Sequence, residues 1–287
     1  MKKFDYLEMQ VKQDMRSELE AAKQEDSQLS YSSKEVPTSS QKKQQDGMVV
    51  VTYNWKNLYE TSLKISEISF ENGNDLENLY KLPVKDGIDR TAFNHNGKTY
   101  ILRKVVRTVV KTVYDNAKKA AAFVEKVIGH LKTAFGNYYM ITKLEKETWT
   151  FDSELKADGL KLLEPELLKE AQRSKLFEEI TDKIGCLHGK NLVLGTFSLN
   201  NVMLYDNEVM LSDARLLKET RKPSYLVREF EKVLSVLQTA GFASSEETAY
   251  AVSYYLAANQ KACREWYKEE TKKDAKCDDE IAELLEK

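Results

Sequence analysis

The spacing of apolar residues changes in character several times along this chain, and each change predicts a different element. Within residues 1–22, apolar side chains recur at close to helical spacing, at Phe4, Leu7, Val11, Met15 and Leu19. This pattern favours a helix on the surface of the main domain, with a partner-docking helix as the alternative. Residues 23–46 are polar, rich in Ser, Gln and Lys, and lack apolar periodicity, which predicts a flexible linker.

Strand-like runs dominate the next hundred residues. Residues 48–53 are rich in valine, and apolar positions within 65–70 indicate an added strand. Asn96–Gly97 separates two strand-like runs and is the strongest hairpin signal in the chain. A second pair of runs is separated by Gly136–Asn137. Between the two pairs, residues 105–127 read as a helix with several basic residues.

Helical spacing returns after Trp149. One long helix is predicted from the apolar stripe Leu167, Leu168, Ala171, Leu176, Phe177, Ile180 and Ile184, which is typical of a core-facing surface. Two further helices are predicted over residues 228–241 and 246–269. The charged tail, residues 269–287, either extends the last helix or frays. Among these helices lies one hairpin, in which Val202–Leu204 and Val209–Leu211 flank an Asp-Asn turn.

Composition narrows the class of protein. The chain has 287 residues, 41% hydrophobic and 31% charged, which fits one two-lobed domain or two small ones with a solvated surface. The net charge of −2 gives no bulk attraction to nucleic acid or to an anionic membrane. No secretory signal or membrane-spanning run is recognised. Three widely spaced cysteines form no disulfide framework or metal pattern, so we expect a reducing, cytoplasmic location.

Two polar residues stand at the ends of the predicted hairpin. Asn201 precedes its first strand and Asp213 follows its second, so the hairpin is expected to bring an amide and a carboxylate together. Such hard oxygen ligands suit Mg²⁺. His188, at the end of the long helix, is expected to be a packed or capping residue rather than a catalytic base.

This arrangement resembles the catalytic loop and metal-binding segment of protein kinases. Leu194-Gly195-Thr196 stands at the family's His-Arg-Asp positions, and Asn201 follows five residues after Thr196, as the family's Asn follows its Asp. Ser212-Asp213-Ala214-Arg215 stands at the metal-binding segment. The resemblance covers roughly residues 76–240. It implies an α+β, two-lobed fold with a small β-rich N-lobe, residues 48–145, and an abbreviated helical C-lobe, residues 146–268.

The resemblance also implies a nucleotide site. Lys104 ends a strand like the one whose lysine holds the α- and β-phosphates of ATP. The acidic partners that follow it are Glu125 and Asp115; neither fits well, and both are expected to be surface carboxylates. Thr142 stands near the gatekeeper position and Lys143–Glu145 in the hinge. The implied ATP-binding residues are Lys104, Thr142, Lys143, Glu145, Asn201 and Asp213, of which Asn201 and Asp213 would hold Mg²⁺.

Several parts needed for phosphoryl transfer are missing. Thr196 replaces the catalytic Asp, and its neutral hydroxyl has no useful basicity. Gly87 is the one glycine where a phosphate-binding loop would lie, and Arg215 replaces the glycine after the metal-binding Asp. The sequence therefore favours a pseudokinase that acts through a protein partner, with weak ATP and Mg²⁺ binding left open. The alternatives are a divergent Ser/Thr protein kinase or other phosphotransferase, with Asp206 or Asp213 as base, and a helical interaction protein.

Overall fold

The computed structural model describes residues 36–56, 58, 62–73, 76–144, 147–206 and 208–286. The helix predicted within residues 1–22 lies outside this part of the chain. None of the helices in the described ranges is long and apolar enough to cross a membrane.

The amino-terminal lobe is built on one antiparallel sheet. Within the described residues its strands run in the order β1-β2-β3-β7-β8-β6-β5, and β4 pairs with β3 at one side. The strands are β1 (Ser39–Gln45), β2 (Met48–Asn54), β3 (Leu63–Glu71), β4 (Lys81–Leu82), β5 (Arg90–His95), β6 (Lys98–Val105), β7 (Val127–Thr133) and β8 (Tyr138–Leu144).

Two tight turns connect neighbouring strands of this sheet. Asn96 and Gly97 join β5 to β6, and both have positive φ, 50° and 71°. That backbone conformation matches the twist of a two-residue hairpin and favours Asn-Gly. Gly136, with φ of 88°, lies in the turn between β7 and β8. Both hairpins predicted from the sequence are confirmed.

Strand β1 corrects the prediction of a flexible linker over residues 23–46 at residues 39–45; residues 23–35 of that prediction lie outside the described part of the chain. All seven of its residues are exposed, yet they pair with β2 from Ser39–Asn54 to Gln45–Met48. The pairing depends on backbone groups, which every residue type carries apart from proline. A strand held in this way needs no buried side chain, so the sequence shows no apolar alternation there.

The helix predicted over residues 105–127 is shorter than expected. A 3-10 turn at Arg107–Val109 leads into α1 (Val110–Lys119), which buries Val113 and Ala117. The chain then turns, and Val124 forms a β-bridge with Leu211 of the other lobe. This bridge ties the segment after α1 to the carboxy-terminal lobe.

The carboxy-terminal lobe is organised around α2 (Glu170–Gly189). Four residues of its predicted stripe are buried, since Leu176, Phe177, Ile180 and Ile184 are at most 1% exposed. The prediction is wrong for the start of the stripe, because Ala171 is exposed and Leu167 and Leu168 precede the helix. The other helices are α3 (Pro223–Thr239), α4 (Ser245–Thr271), which is kinked at Asn259, and α5 (Asp278–Leu285). The short strands are β9 (Thr148–Thr150), β10 (Leu160–Leu162), β11 (Leu192–Val193), β12 (Val202–Tyr205), β13 (Glu208–Leu211) and β14 (Lys218–Glu219).

The charged tail predicted over residues 269–287 behaves differently from expectation. Helix α4 ends at Thr271, and α5 is a separate helix that buries Ile281 and Leu285 in the core of the lobe. The spacing of these two apolar residues places them one turn apart on the same side of α5, which is enough to dock a short charged helix.

The α+β class and the two-lobed organisation predicted from the sequence are confirmed. A large antiparallel sheet forms the amino-terminal part, and helices dominate the carboxy-terminal part. The arrangement is consistent with the two-lobed, kinase-like fold that the resemblance implies.

Candidate functional site

The ends of the β12–β13 hairpin lie where the two lobes adjoin. Strand β12 pairs with β13 from Val202–Leu211 to Tyr205–Glu208, so this predicted hairpin is confirmed. Ser212 N–H donates to the backbone oxygen of Asn201 at 2.7 Å, which brings the two ends of the hairpin together. The next residue, Asp213, has a positive φ of 68°. A left-handed conformation costs a non-glycine residue about 1 kcal/mol, so contacts of Asp213 must stabilise it.

The carboxylate of Asp213 is bound by an arginine two residues away. Arg215 Nε donates to Oδ1 at 2.7 Å and Arg215 Nη2 donates to Oδ2 at 2.6 Å. Arg103 Nε lies 3.7 Å from the same Oδ2. Burial acts to raise the pKa of Asp213, but the hydrogen bond from Arg215 and the charges of Arg103 and Arg215 outweigh it. The pKa therefore lies below its usual value.

Arg215 also reaches across to the amino-terminal lobe. Its Nη1 donates to Asp89 Oδ1 at 2.9 Å, and its Nη2 donates to Asp89 Oδ2 at 3.2 Å. Nη1 also donates to the backbone oxygen of Lys104 at 2.8 Å. One guanidinium thus joins a carboxylate of each lobe and holds them close together.

A buried ion pair lies beside this bridge. Arg103 on β6 and Glu125 after α1 are 3% and 5% exposed, and Arg103 Nη1 donates to Glu125 Oε1. Arg103 Nη2 donates to Ser212 Oγ at 2.6 Å, and Glu125 Oε1 accepts from Asp213 N–H at 3.0 Å. The prediction that Glu125 is a surface carboxylate is therefore wrong. It connects a cation of one lobe to the backbone of Asp213 in the other.

Lys104 lies on the opposite face of β6 from Arg103, because successive side chains of a strand alternate. Its Nζ is 3.5 Å from the backbone oxygen of Gly87 and makes no ion pair within the described residues. Arg103, and not Lys104, is therefore the cation of β6 that contacts a buried glutamate. Asp115, the second acidic candidate, is exposed on α1.

The side chain of Asn201 is engaged in local structure. Its Oδ1 accepts from Ser198 N–H at 2.8 Å and from Ser198 Oγ at 3.1 Å. These bonds close a capping box around the 3-10 turn at Leu199–Asn201. Asn201 is 8% exposed, and its carbonyl oxygen already has two donors.

The predicted gatekeeper and hinge residues lie at the end of β8. Thr142 is 2% exposed and stands directly opposite Ile101 of β6, so both face the same side of the sheet. Lys143 is the next residue of β8, and Glu145 lies outside the described residues. A small apolar cluster fills this part of the lobe junction, formed by Ala92, Ile101, Leu144, Leu155 and Met203.

A buried glutamate of α3 binds the backbone of the loop that carries Thr196. Glu229 of α3 accepts from the backbone N–H groups of Leu194, at 3.0 Å, and of Gly195. Its Oε2 also lies 2.9 Å from His188 Nε2. His188 is 1% exposed and so is packed, as predicted. Thr196 is exposed at the surface of this loop.

The segment before β5 is held rigidly without a run of glycines. Asp86 accepts from Thr133 Oγ1 at 2.7 Å and from Tyr139 OH at 3.2 Å. Gly87 N–H donates to Tyr139 OH at 2.9 Å. Gly87 has a φ of 90°, which favours glycine at this one position.

The residues as arranged do not fit a divalent ion. Both oxygens of Asp213 accept from Arg215, and the oxygen of Asn201 accepts from Ser198. In the described part of the chain, no three or more His, Cys, Asp or Glu side chains are grouped to hold a metal. The site is instead a network of charges that joins the lobes: Asp89, Arg215, Asp213, Arg103 and Glu125.

Sequence reasoning missed three residues of this network and its support: Arg103, Arg215 and Glu229. The strand around Arg103 is apolar on both faces, so the pattern did not reveal which of two adjacent cations points inward. Arg215 can be recognised in the sequence as a replacement for glycine, but the sequence does not show what its side chain reaches. Glu229 offered a usable signal, because it is a charged residue between Leu226 and Phe230 on the buried side of α3.

No protein-family model and no curated protein sequence matches this chain. Among solved structures, it is similar to WaaP in complex with acyl carrier protein, with 12% identity and a TM-score of 0.36, over 64% of this chain and 88% of that one. It is also similar to a divergent Toxoplasma kinase that lacks the glycine-rich loop, again with 12% identity and a TM-score of 0.36, over 66% of this chain and 74% of that one. TM-scores this low identify neither fold nor function.

Proposed function

We propose that this chain is a pseudokinase, a kinase-like domain that does not transfer phosphate and acts by binding a protein partner. The observation that carries the proposal is the pair of hydrogen bonds from Arg215 to both carboxylate oxygens of Asp213. In the kinases that the sequence resembles, this carboxylate binds Mg²⁺. Here an arginine of the same chain occupies its lone pairs.

Displacing Arg215 would be costly for a metal ion. A hydrogen bond to a charged group contributes about 1.5–3 kcal/mol, and Arg215 makes further bonds to Asp89 and to the backbone oxygen of Lys104. Mg²⁺ gives up its own water reluctantly, and it would be repelled by the two guanidinium groups. The balance favours the arginine over the ion.

Catalysis also lacks its proton acceptor. The exposed hydroxyl of Thr196 stands where the family has an aspartate, and it cannot accept a proton near neutral pH. The nearest part of α3 offers Glu229, but that carboxylate is buried and holds the backbone of Leu194 and Gly195. The loop therefore keeps its shape without a base.

Nucleotide binding is disfavoured on the other side of the junction. Arg103, the inward cation of β6, is bound to Glu125 and Ser212 and is 3% exposed. Ile101 and Met203 belong to the apolar cluster at the lobe junction, and both are at most 1% exposed. A bound base would have to displace this packing. These contacts support a domain whose own side chains stabilise the closed arrangement of the lobes.

A thermal-shift titration with ATP, with and without Mg²⁺, tests the proposal. A ligand that binds only the folded state raises the melting temperature. We expect no Mg²⁺-dependent shift at millimolar nucleotide for the natural chain. We expect Arg215→Ala to gain a shift with Mg²⁺ alone, because it frees both oxygens of Asp213, while the packing at the lobe junction still disfavours the nucleotide. Arg221→Ala, which removes an exposed arginine of the same segment, is the matched control and should behave like the natural chain.

A Mg²⁺-dependent shift in the natural chain would overturn the proposal. Incubation with labelled ATP and generic protein acceptors then tests whether the chain transfers phosphate. Incorporation of label that Asp213→Ala abolishes would identify a divergent phosphotransferase.

A further inference from the structure

We infer that the surface at the amino end of α1 binds an acidic segment of a partner protein, one that carries apolar side chains between its carboxylates. We call it the amino-end surface and define it by Ile88, Lys104, Val106, Arg107, Val109 and Lys111. The inference rests on the proposed function in one respect, that the domain acts by binding.

The centre of the amino-end surface is apolar and exposed. Val106 is 68% exposed, Val109 is 41% exposed and Ile88 is 39% exposed. Val109 N–H donates to the backbone oxygen of Val106 at 3.0 Å, so these two lie on one tight turn. Ile88 precedes Asp89, whose backbone oxygen accepts from Lys104 N–H at 2.7 Å. Two exposed valines thus lie on one turn, and Ile88 lies in the segment that pairs with the strand leading into that turn. Exposed apolar groups of this kind mark interaction sites when they are contiguous.

Three cations lie among the residues of this surface. Lys104, Arg107 and Lys111 make no ion pair within the described residues, and Lys104 Nζ reaches only the backbone oxygen of Gly87. Of the carboxylates nearby, Asp89 is paired with Arg215, and Asp86 accepts from the hydroxyls of Thr133 and Tyr139. Asp115 follows Lys111 by four residues on α1 and is exposed. The six defining residues thus carry three positive charges and no carboxylate, on a chain whose net charge is −2.

The start of α1 adds to this positive field. The 3-10 turn Arg107–Val109 continues directly into α1, so the open amino end is that of this turn. Neither the turn nor the start of α1 contains an acidic residue, and neither Val106 nor Val109 makes a side-chain capping bond. The first amide groups of a helix carry partial positive charge and favour nearby anions. Natural helices usually place Asp, Ser or Thr there, so a partner carboxylate would supply what the chain lacks.

An acidic peptide fits these features better than a membrane or a nucleic acid. Peripheral membrane surfaces insert Trp, Phe or Leu, whereas the apolar groups here are two valines and an isoleucine. Single-stranded nucleic acids need aromatic side chains for stacking, and the six defining residues include none. An acidic segment with apolar side chains complements both the cations and the apolar centre.

Fluorescence anisotropy with a labelled synthetic peptide tests the inference on the full chain. The probe is a short peptide in which leucines alternate with runs of glutamate, and a peptide of glutamate alone is the comparison. We expect saturable binding of the first, weaker binding of the second, and loss of affinity as salt rises. Arg107→Glu combined with Lys111→Glu should weaken binding about tenfold or more, because rim charges become repulsive.

Matched variants separate charge, apolar contact and folding. Val106→Ser combined with Val109→Ser should also weaken binding. Lys261→Glu combined with Lys273→Glu reverses two exposed lysines of another face and should leave it unchanged. All variants are compared by melting temperature, which surface substitutions should move little. Slower amide hydrogen exchange within residues 106–112 on adding the peptide would locate the contact.

Two results would overturn the inference. One is no saturable binding of the leucine–glutamate peptide, and the other is equal binding by the charge-reversed variant. Sedimentation with phosphatidylserine vesicles distinguishes a membrane surface, since vesicle binding that needs Arg107 and Lys111 without peptide binding would identify a lipid partner instead. A Mg²⁺-dependent shift with ATP would overturn the pseudokinase proposal alone, so the two failures are distinguishable.

Discussion

Replacing Arg103 by methionine, with Lys104→Met as its matched control, tests which of two adjacent cations supports the lobe junction. Arg103→Met leaves Glu125 buried at 5% exposure with no cation against it. Glu125 Oε2 already lacks a hydrogen-bond partner among the described residues, so the carboxylate keeps only the backbone N–H groups of Asp213 and Ala214, which donate to Oε1. Methionine keeps much of the arginine's length, which limits the cavity that the substitution creates.

The expected magnitude follows from the burial of both partners. Removing one member of a buried ion pair costs about 3–5 kcal/mol, because the other charge stays buried. The substitution also removes the hydrogen bond from Arg103 Nη2 to Ser212 Oγ, which is 2.6 Å long. We therefore expect Arg103→Met to lower the free energy of unfolding by about 3–5 kcal/mol. Lys104 has one long contact, 3.5 Å to the backbone oxygen of Gly87, so Lys104→Met should change stability by about 0.5 kcal/mol at most.

Urea denaturation followed by tryptophan fluorescence measures both variants at the same pH and salt. The double variant Arg103→Met/Glu125→Leu should recover a large part of the loss, since an apolar pair can replace a buried ion pair. Equal effects of the two methionine substitutions, or a larger effect at Lys104, would refute the reasoning. A larger effect at Lys104 would restore Lys104 as the functional strand cation that the sequence predicted.

Three further outcomes are expected. Burial raises the pKa of Asp213, yet Arg215 and Arg103 lower it more, so its folded-state pKa lies below the unfolded value. The stability that this contributes is present above the unfolded pKa and is lost as pH falls through the folded pKa, so Asp213→Asn should flatten the acid limb of a urea-denaturation series below about pH 5. Gly129→Ala places a Cβ 2.1 Å from the backbone oxygen of Ser69 and should lower the free energy of unfolding by about 3 kcal/mol or more. Gly189→Ala meets no atom within 4 Å and should stabilise α2 by up to about 1 kcal/mol. Equal melting temperatures of these two variants would contradict the reasoning. Burial raises the pKa of the Cys263 thiol to about 12, so a thiol reagent should label the two exposed cysteines in the native chain and Cys263 only after unfolding.

The elements that the sequence predicted best are those specified by neighbouring residues. The Asn96–Gly97 hairpin was predictable because a two-residue turn with positive φ needs this chemistry. The stripe of α2 was predictable because apolar residues on one face of a helix must be covered. Strand β1 was missed for the complementary reason, since its seven exposed residues pair through the backbone and carry no apolar signal.

By itself, the sequence determined the two-lobed α+β class and the spacing that brings Asn201 and Asp213 to the ends of one hairpin. It also determined what is missing, because Thr196 and Arg215 can be read directly as replacements. Only the tertiary structure decided what these residues contact.

Arg215 reaches Asp89, 126 residues away in the chain, and Arg103 rather than Lys104 meets Glu125. Such choices depend on which face of a strand turns inward and on how two lobes close. Turn chemistry and helical periodicity act over a few residues, whereas buried charges are satisfied by whichever partners the whole fold brings within reach.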